Sequence, residues 1–174
     1  MTVACACPGA ARFLPQLAVS ALLCAAPASA FAGCPMELAV YADRDNAAGI
    51  DFRPTGQSAV VTNTFRMALD NGVTLDGIVM WGDGIARPYA SLMYQCPDGD
   101  LTGEELEACT LWEGVVYTVD EAGTVSLLAA EGRDAPATLV FPDLGPALKQ
   151  SSAYGEGGFS RVPWDVFALK GCQE

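Results

Sequence analysis

The sequence predicts an all-β chain, a mainly antiparallel sandwich or small barrel with one or two short helices and two disulfides. Three observations carry that expectation. Short segments rich in Val, Thr, Phe, Tyr and Leu alternate in polarity between clusters of Gly, Pro, Asn and Asp, the pattern of half-buried strands joined by turns. Two separate segments select the same kind of hairpin. Four cysteines remain once an N-terminal address segment is set aside, and four can pair completely.

Composition narrows the function classes. The chain has 174 residues, 21 acidic and 9 basic, with no histidine and a formal charge of −12. Without histidine there is no Ser–His or Cys–His nucleophile and no imidazole metal ligand. Nucleic-acid binding needs clustered Lys and Arg, which this acidic chain lacks. The hydrophobic fraction of 51% is that of a folded chain rather than a disordered one.

Residues 1–32 read as a cleaved signal peptide. Arg12 is the only basic side chain there, an apolar run follows from Phe13 to Ala26, and no acid precedes Glu37. Ala28-Ser29-Ala30 and Ala30-Phe31-Ala32 both have the small-x-small spacing of a cleavage site, so processing is expected after Ala30 or Ala32. The apolar run is shorter than the roughly 20 residues a transmembrane helix needs. Phe31-Ala32-Gly33-Cys34 resembles a lipobox, but with Phe where Leu is usual, and acylating Cys34 would strand an odd thiol. The reading is therefore export without a lipid anchor, to the periplasm or the medium. Removing the segment takes Cys5, Cys7, Cys24 and Arg12 away, leaving a single β-rich domain over 33–174. That leaves eight basic residues against 21 acidic ones, a charge of −13.

Strands are expected near 37–42, 49–53, 59–69, 73–81, 89–95, 113–119, 124–129, 137–141 and 164–170. At the first hairpin, a two-residue Asn71-Gly72 loop would pair Leu69 with Thr74 and mix the faces. A three-residue loop, Asp70-Asn71-Gly72, pairs Leu69 with Val73 and Met67 with Leu75, so burial of one face selects it. It requires Gly72 in the left-handed region. The loop Glu121-Ala122-Gly123 likewise pairs Val119 with Val125 and Tyr117 with Leu127. Thr102 and Glu105 are spaced as a capping box, predicting a short helix at 103–108. A second is expected at 143–150, with Leu144 and Leu148 on one face. Ser151–Ser160 reads as a mobile surface loop.

The expected disulfides are Cys34–Cys172 and Cys96–Cys109. Chain-entropy reasoning assigns about 4–5 kcal/mol to a loop as long as the first and about 3 kcal/mol to one as short as the second. Trp112 and Trp164 are expected to shield them. No cofactor or metal site is predicted. Asp98, Asp100 and Gly103 begin like a calcium loop, but Cys109 stands where the bidentate Glu belongs. Asp43-x-Asp45 reads as a hairpin tip. The acidic set Asp98, Asp100, Glu104, Glu105 and Glu107 reads as a solvated face able to steer a basic partner.

The candidate ligand-binding stretch is Trp81-Gly82-Asp83-Gly84 with Arg87 and Tyr89, where aromatic faces and a carboxylate could line a groove. The sequence thus predicts a small, exported, disulfide-linked and non-enzymatic binding or interaction protein. Its partner is expected to be a protein or a small polar ligand, with no nucleic acid. The alternative is a carboxylate-dependent hydrolase of an envelope or carbohydrate substrate, using acids from the set Asp76, Asp83, Glu113 and Asp165. In size, export and a cysteine-anchored β domain the chain resembles small periplasmic inhibitor or binding proteins such as lysozyme inhibitors. None of their motifs is evident, so no residue role is carried over.

Overall fold

The computed structural model describes residues 33–56, 60–81 and 87–174. The predicted signal peptide and Asp83 lie outside the described residues. Among the described residues, ten strands form one antiparallel sheet. In chain order they are β1 (Ala39–Asp43), β2 (Ala48–Arg53), β3 (Val61–Leu69), β4 (Thr74–Trp81), β5 (Pro88–Met93), β6 (Thr110–Gly114), β7 (Tyr117–Val119), β8 (Val125–Leu127), β9 (Thr138–Val140) and β10 (Val166–Cys172). Two short helices, α1 (Gly103–Cys109) and α2 (Leu144–Gln150), complete the fold. The order across the sheet is β6-β5-β4-β3-β2-β1-β10-β9-β7-β8.

That order decides between sandwich and barrel. In a flat sheet β6 and β7 would stand eight strand spacings apart, about 38 Å. Only Val115 and Val116 join them, and three peptide steps reach about 11 Å at most. The sheet therefore rolls into a half-barrel whose two ends approach each other at this connection. The expected single strand at 113–119 is corrected here: it is two strands, one at an edge of the sheet and the other beside the opposite edge. The break follows Gly114, where a Cβ would stand 2.7 Å from the Trp112 ring.

Strand alternation fills the roll. Tyr41, Ile50, Met67 and Leu75 are paired neighbours across β1 to β4, and all are fully buried. A second paired row runs Phe52, Phe65, Gly77, Leu92, Trp112 across β2 to β6. Gly77 is the gap in that row. The Phe65 ring lies over it, and any Cβ there would collide with the ring atoms. Phe65 is itself held against Phe52 at 5.2 Å and Phe141 at 5.8 Å, so it has little room to yield. Phe141 also meets Trp112 and Phe167, and α2 covers this cluster with Leu144 and Leu148. The Tyr41 hydroxyl donates to the Pro136 carbonyl at 2.9 Å, and burial pushes its pKa up.

Both hairpin registers are as expected. Met67 pairs with Leu75, and the Leu69 N–H donates to the Val73 carbonyl at 2.8 Å. Gly72 has φ 74°, and Asn71 joins it in the left-handed region at φ 56°, so a primed turn sits inside the three-residue loop. Tyr117 pairs with Leu127 and Val119 with Val125, with Gly123 at φ 83°. The reason differs in this second hairpin. Val125 is 64% exposed and Leu127 38%, so turn chemistry rather than burial holds the register. The Asp120 carboxylate accepts the Ala122 and Thr124 N–H groups there.

Both disulfides join the expected partners, with Cα separations of 5.7 Å for Cys34–Cys172 and 5.2 Å for Cys96–Cys109. The tryptophans do not shield them as expected. Trp112 turns into the core and donates its indole N–H to the Pro142 carbonyl at 2.9 Å, while Trp164 is held at the β1–β2 turn. The capping box at α1 is present in both directions, Thr102 with Glu105.

Residues 151–160 are not the free loop that their Gly and Ser content suggests. Phe159 and Ala153 are buried, and Phe159 stacks edge-on with Tyr154 at 5.4 Å. The segment is pinned to the tip of the β3–β4 hairpin. The Asp70 carboxylate accepts from the Ser160 hydroxyl, the Ser160 N–H and the Arg161 N–H, and the Asn71 amide donates to the Gly158 carbonyl. The Ser160 hydroxyl bond is the largest of the effects that hold the Asp70 carboxyl below its ordinary range, with the Ser160 and Arg161 N–H bonds and the Arg161 charge adding to it.

Two expectations follow. Gly77→Ala should lower the free energy of unfolding by about 1–3 kcal/mol through overpacking against Phe65, read by chemical denaturation. Asp70 has a lower pKa folded than unfolded. Its contribution is therefore fully present above the unfolded carboxyl range, about pH 4, and is lost as pH falls through the folded value. Asp70→Asn should reduce the melting temperature at neutral pH and flatten its decline below about pH 4. A decline as steep as that of the parent chain would contradict this role.

Candidate functional site

Among the described residues, those singled out from the sequence are held by separate partners. Trp81 ends β4 and is 50% exposed. It pairs with Pro88, while its neighbour Met80 pairs with Tyr89, so the register places Trp81 and Tyr89 on opposite faces of the sheet. Arg87 donates to the Tyr117 hydroxyl at 3.1 Å. The acids offered for hydrolysis are also separated among the described residues. Asp76 pairs with Arg66 at 3.2 Å, Glu113 accepts from the Ser91 hydroxyl, and Asp165 accepts the Asp143 and Gly145 N–H groups. Glu113 and Asp165 line different pockets and Asp76 lines neither. Also among the described residues, no cluster of Cys, Asp and Glu is arranged to hold a metal.

A different place in the fold has the character of a binding site. It lies where the chain enters β10, beside α2 and the segment that follows it. Gly145 is drawn close to the Pro163 backbone, where an added Cβ would stand 2.9 Å from the carbonyl oxygen. Both Asp165 oxygens accept backbone N–H groups at the start of α2, 3.0 Å each, which fixes the helix against the strand entry. Between them opens a groove of about 720 Å³ lined by Pro146, Lys149, Gln150, Tyr154, Val162, Pro163, Trp164 and Val166. Its lining is mainly apolar.

Trp164 is the anchor of this groove. It is 47% exposed, yet it is held on two sides. Its indole N–H donates to the Asp45 carboxylate at 2.6 Å, and the Arg44 guanidinium lies over the ring, 3.4 Å from the centroid. Arg44 also pairs with Asp45 at 3.6 Å, and Arg161 donates to the Asp45 carbonyl at 2.8 Å. The support is the β1–β2 turn, where buried Asp43 accepts the Ala47 and Ala48 N–H groups at 2.7 and 3.0 Å. This is the hairpin tip expected from Asp43-x-Asp45. A fixed, half-exposed indole offers contact area at small entropic cost on binding.

Lys149 stands at the groove with no ion pair, since the pairs found among the described residues are Arg44–Asp45 and Arg66–Asp76. Sequence reasoning passed over this site because its parts come from residues 44–45, 145–154 and 162–166, with no local spacing to link them. Trp164 lies just before β10 rather than inside the strand expected at 164–170, so its own segment gave no sign of the groove. Comparison with family models, with characterised proteins and with solved structures returns no match, so function is argued from the site alone.

Proposed function

We propose that this chain is exported, loses residues up to Ala30 or Ala32, and acts in the periplasm or medium as a non-enzymatic binding protein. Its ligand is proposed to lie against Trp164. The two disulfides support an oxidising compartment, where such bonds persist. No helix among the described residues is long and apolar enough to cross a membrane. The observation that carries the binding reading is the half-exposed indole fixed by Asp45 and Arg44 beside an apolar groove.

Groove chemistry narrows the partner. Prolines, valines and two aromatic rings dominate, and Lys149, Gln150 and the Tyr154 hydroxyl supply the free polar groups. A free sugar would find few hydrogen-bond partners there. An extended protein segment with proline or aliphatic side chains fits better, in the manner of aromatic-lined grooves that take polyproline-type peptides.

Two measurements test the reading. Titration with a short proline-rich peptide, with maltose in parallel, should move the Trp164 indole N–H resonance with the peptide and leave Trp81 unmoved. Trp164→Ala should abolish the heat of peptide binding, which calorimetry reads without that indole. A peptide response that survives in that variant, or no response to either probe, would remove the groove from consideration. The intact mass of the exported protein should begin at Phe31 or Gly33 and include no acyl group. A retained leader or an acylated Cys34 would contradict the export route proposed.

A further inference from the structure

The sheet has a free edge that the groove at Trp164 does not involve. Among the described residues β6 is hydrogen-bonded to β5 on one side only and ends the strand order, while α2 packs near it and the Trp112 indole N–H reaches the Pro142 carbonyl. A second groove, about 490 Å³, runs along it. Its lining takes four consecutive residues of β6, Thr110 to Glu113, and Gly103, Leu106 and Glu107 from α1. Consecutive strand residues point to alternate faces, so a groove that touches all four follows the strand edge rather than a face. Positions 103, 106 and 107 share one helical face. An exposed sheet edge is where an extended peptide can be added as a further strand. Leu106 is 40% exposed over the groove, an apolar contact without a partner.

Charge selects the occupant. Between Arg87 and Arg133 the sequence has nine acidic residues and no Lys or Arg. Glu107 and Glu113 line the groove itself, with Glu104 and Glu105 in the adjoining turn of α1. A second copy of this chain would set the same acids against each other, which cross-strand pairing disfavours. We propose that the β6 edge accepts an extended basic segment of a partner protein, added as a further strand. Its backbone would pair with β6, and its Lys or Arg side chains would face Glu107 and Glu113.

The test uses the full disulfide-bonded chain and a short capped peptide of alternating lysine and valine. Binding is expected at low salt and should weaken as ionic strength rises. Slowed amide exchange should be confined to residues 110–114 and α1. Glu107→Gln, at an exposed position, should weaken binding about three- to tenfold with the spectrum of the free protein unchanged. The same peptide N-methylated at alternate residues keeps its charge and loses backbone donors, and it should fail to bind. Equal binding by the methylated peptide would overturn the proposal, since charge alone would then suffice. Protection at β8 instead of β6, binding by a Glu–Val peptide, or no binding at low salt would overturn it as well.

Discussion

Between Gly114 and Tyr117 the chain has only Val115 and Val116 with which to pass from one edge strand to the strand beside the opposite edge. Every other feature of the roll accommodates that short span. The sheet must curve, and curvature turns one face of each strand toward a common interior. The interior then has to be filled without crowding. Large rings from β2, β3 and β6 are set against a missing side chain at Gly77, and Phe141 closes the gap between Phe65, Trp112 and Phe167. Val116 and Leu128 are themselves buried, and the Leu128 N–H donates to the Val116 carbonyl at 3.3 Å, so the connection is held inside the core.

The acidic side chains do more than set the net charge. Asp43, Asp120 and Asp165 each accept backbone N–H groups in a turn or at a helix start. Asp70 ties residues 158–161 to a hairpin tip, and Glu131 accepts from Thr55 through both its N–H and its hydroxyl. These carboxylates replace water on donors that irregular backbone would otherwise leave unpaired. Much of the loop structure is thus held by single acids reaching across short or long sequence distances. Around α1 and β6, Glu105 does the same for the Thr102 N–H and Glu113 accepts from the Ser91 hydroxyl.

Local information was legible in the sequence. Turn residues fixed both hairpin registers, because a left-handed Gly and the parity of flanking side chains act over fewer than ten residues. The capping box at Thr102 and Glu105 located α1 for the same reason, and the places of the cysteines, two near the ends of the domain and two flanking one polar excursion, gave both pairings. Non-local information was hidden. The run 113–119, rich in Val and Tyr, reads as one strand, yet the chain crosses between distant positions of the sheet within it, and only the global strand order reveals this. The Gly/Ser-rich run at 151–160 hid a buried Phe159 whose anchor lies about 90 residues earlier at Asp70. Trp164 draws its fixed position from Arg44 and Asp45, about 120 residues away, so its setting had no signature in its own neighbourhood.

The Cys34–Cys172 bond ties the segment just before β1 to the last residue of β10, two strands adjacent in the sheet order, where Ala39 faces Cys172 and the Gln173 N–H reaches the Leu38 carbonyl at 2.8 Å. This gives the fold a mechanical property. Tension applied to the segments flanking Gly33 and Cys172 passes through one covalent link 5.7 Å long between Cα atoms, and not through the hydrogen bonds of β1 and β10. The sheet between them carries no load while that bond is intact. A reducing agent would convert the same pull into a force that unzips β1 from β10 one pair at a time, so resistance to stretching is switched by thiol chemistry alone.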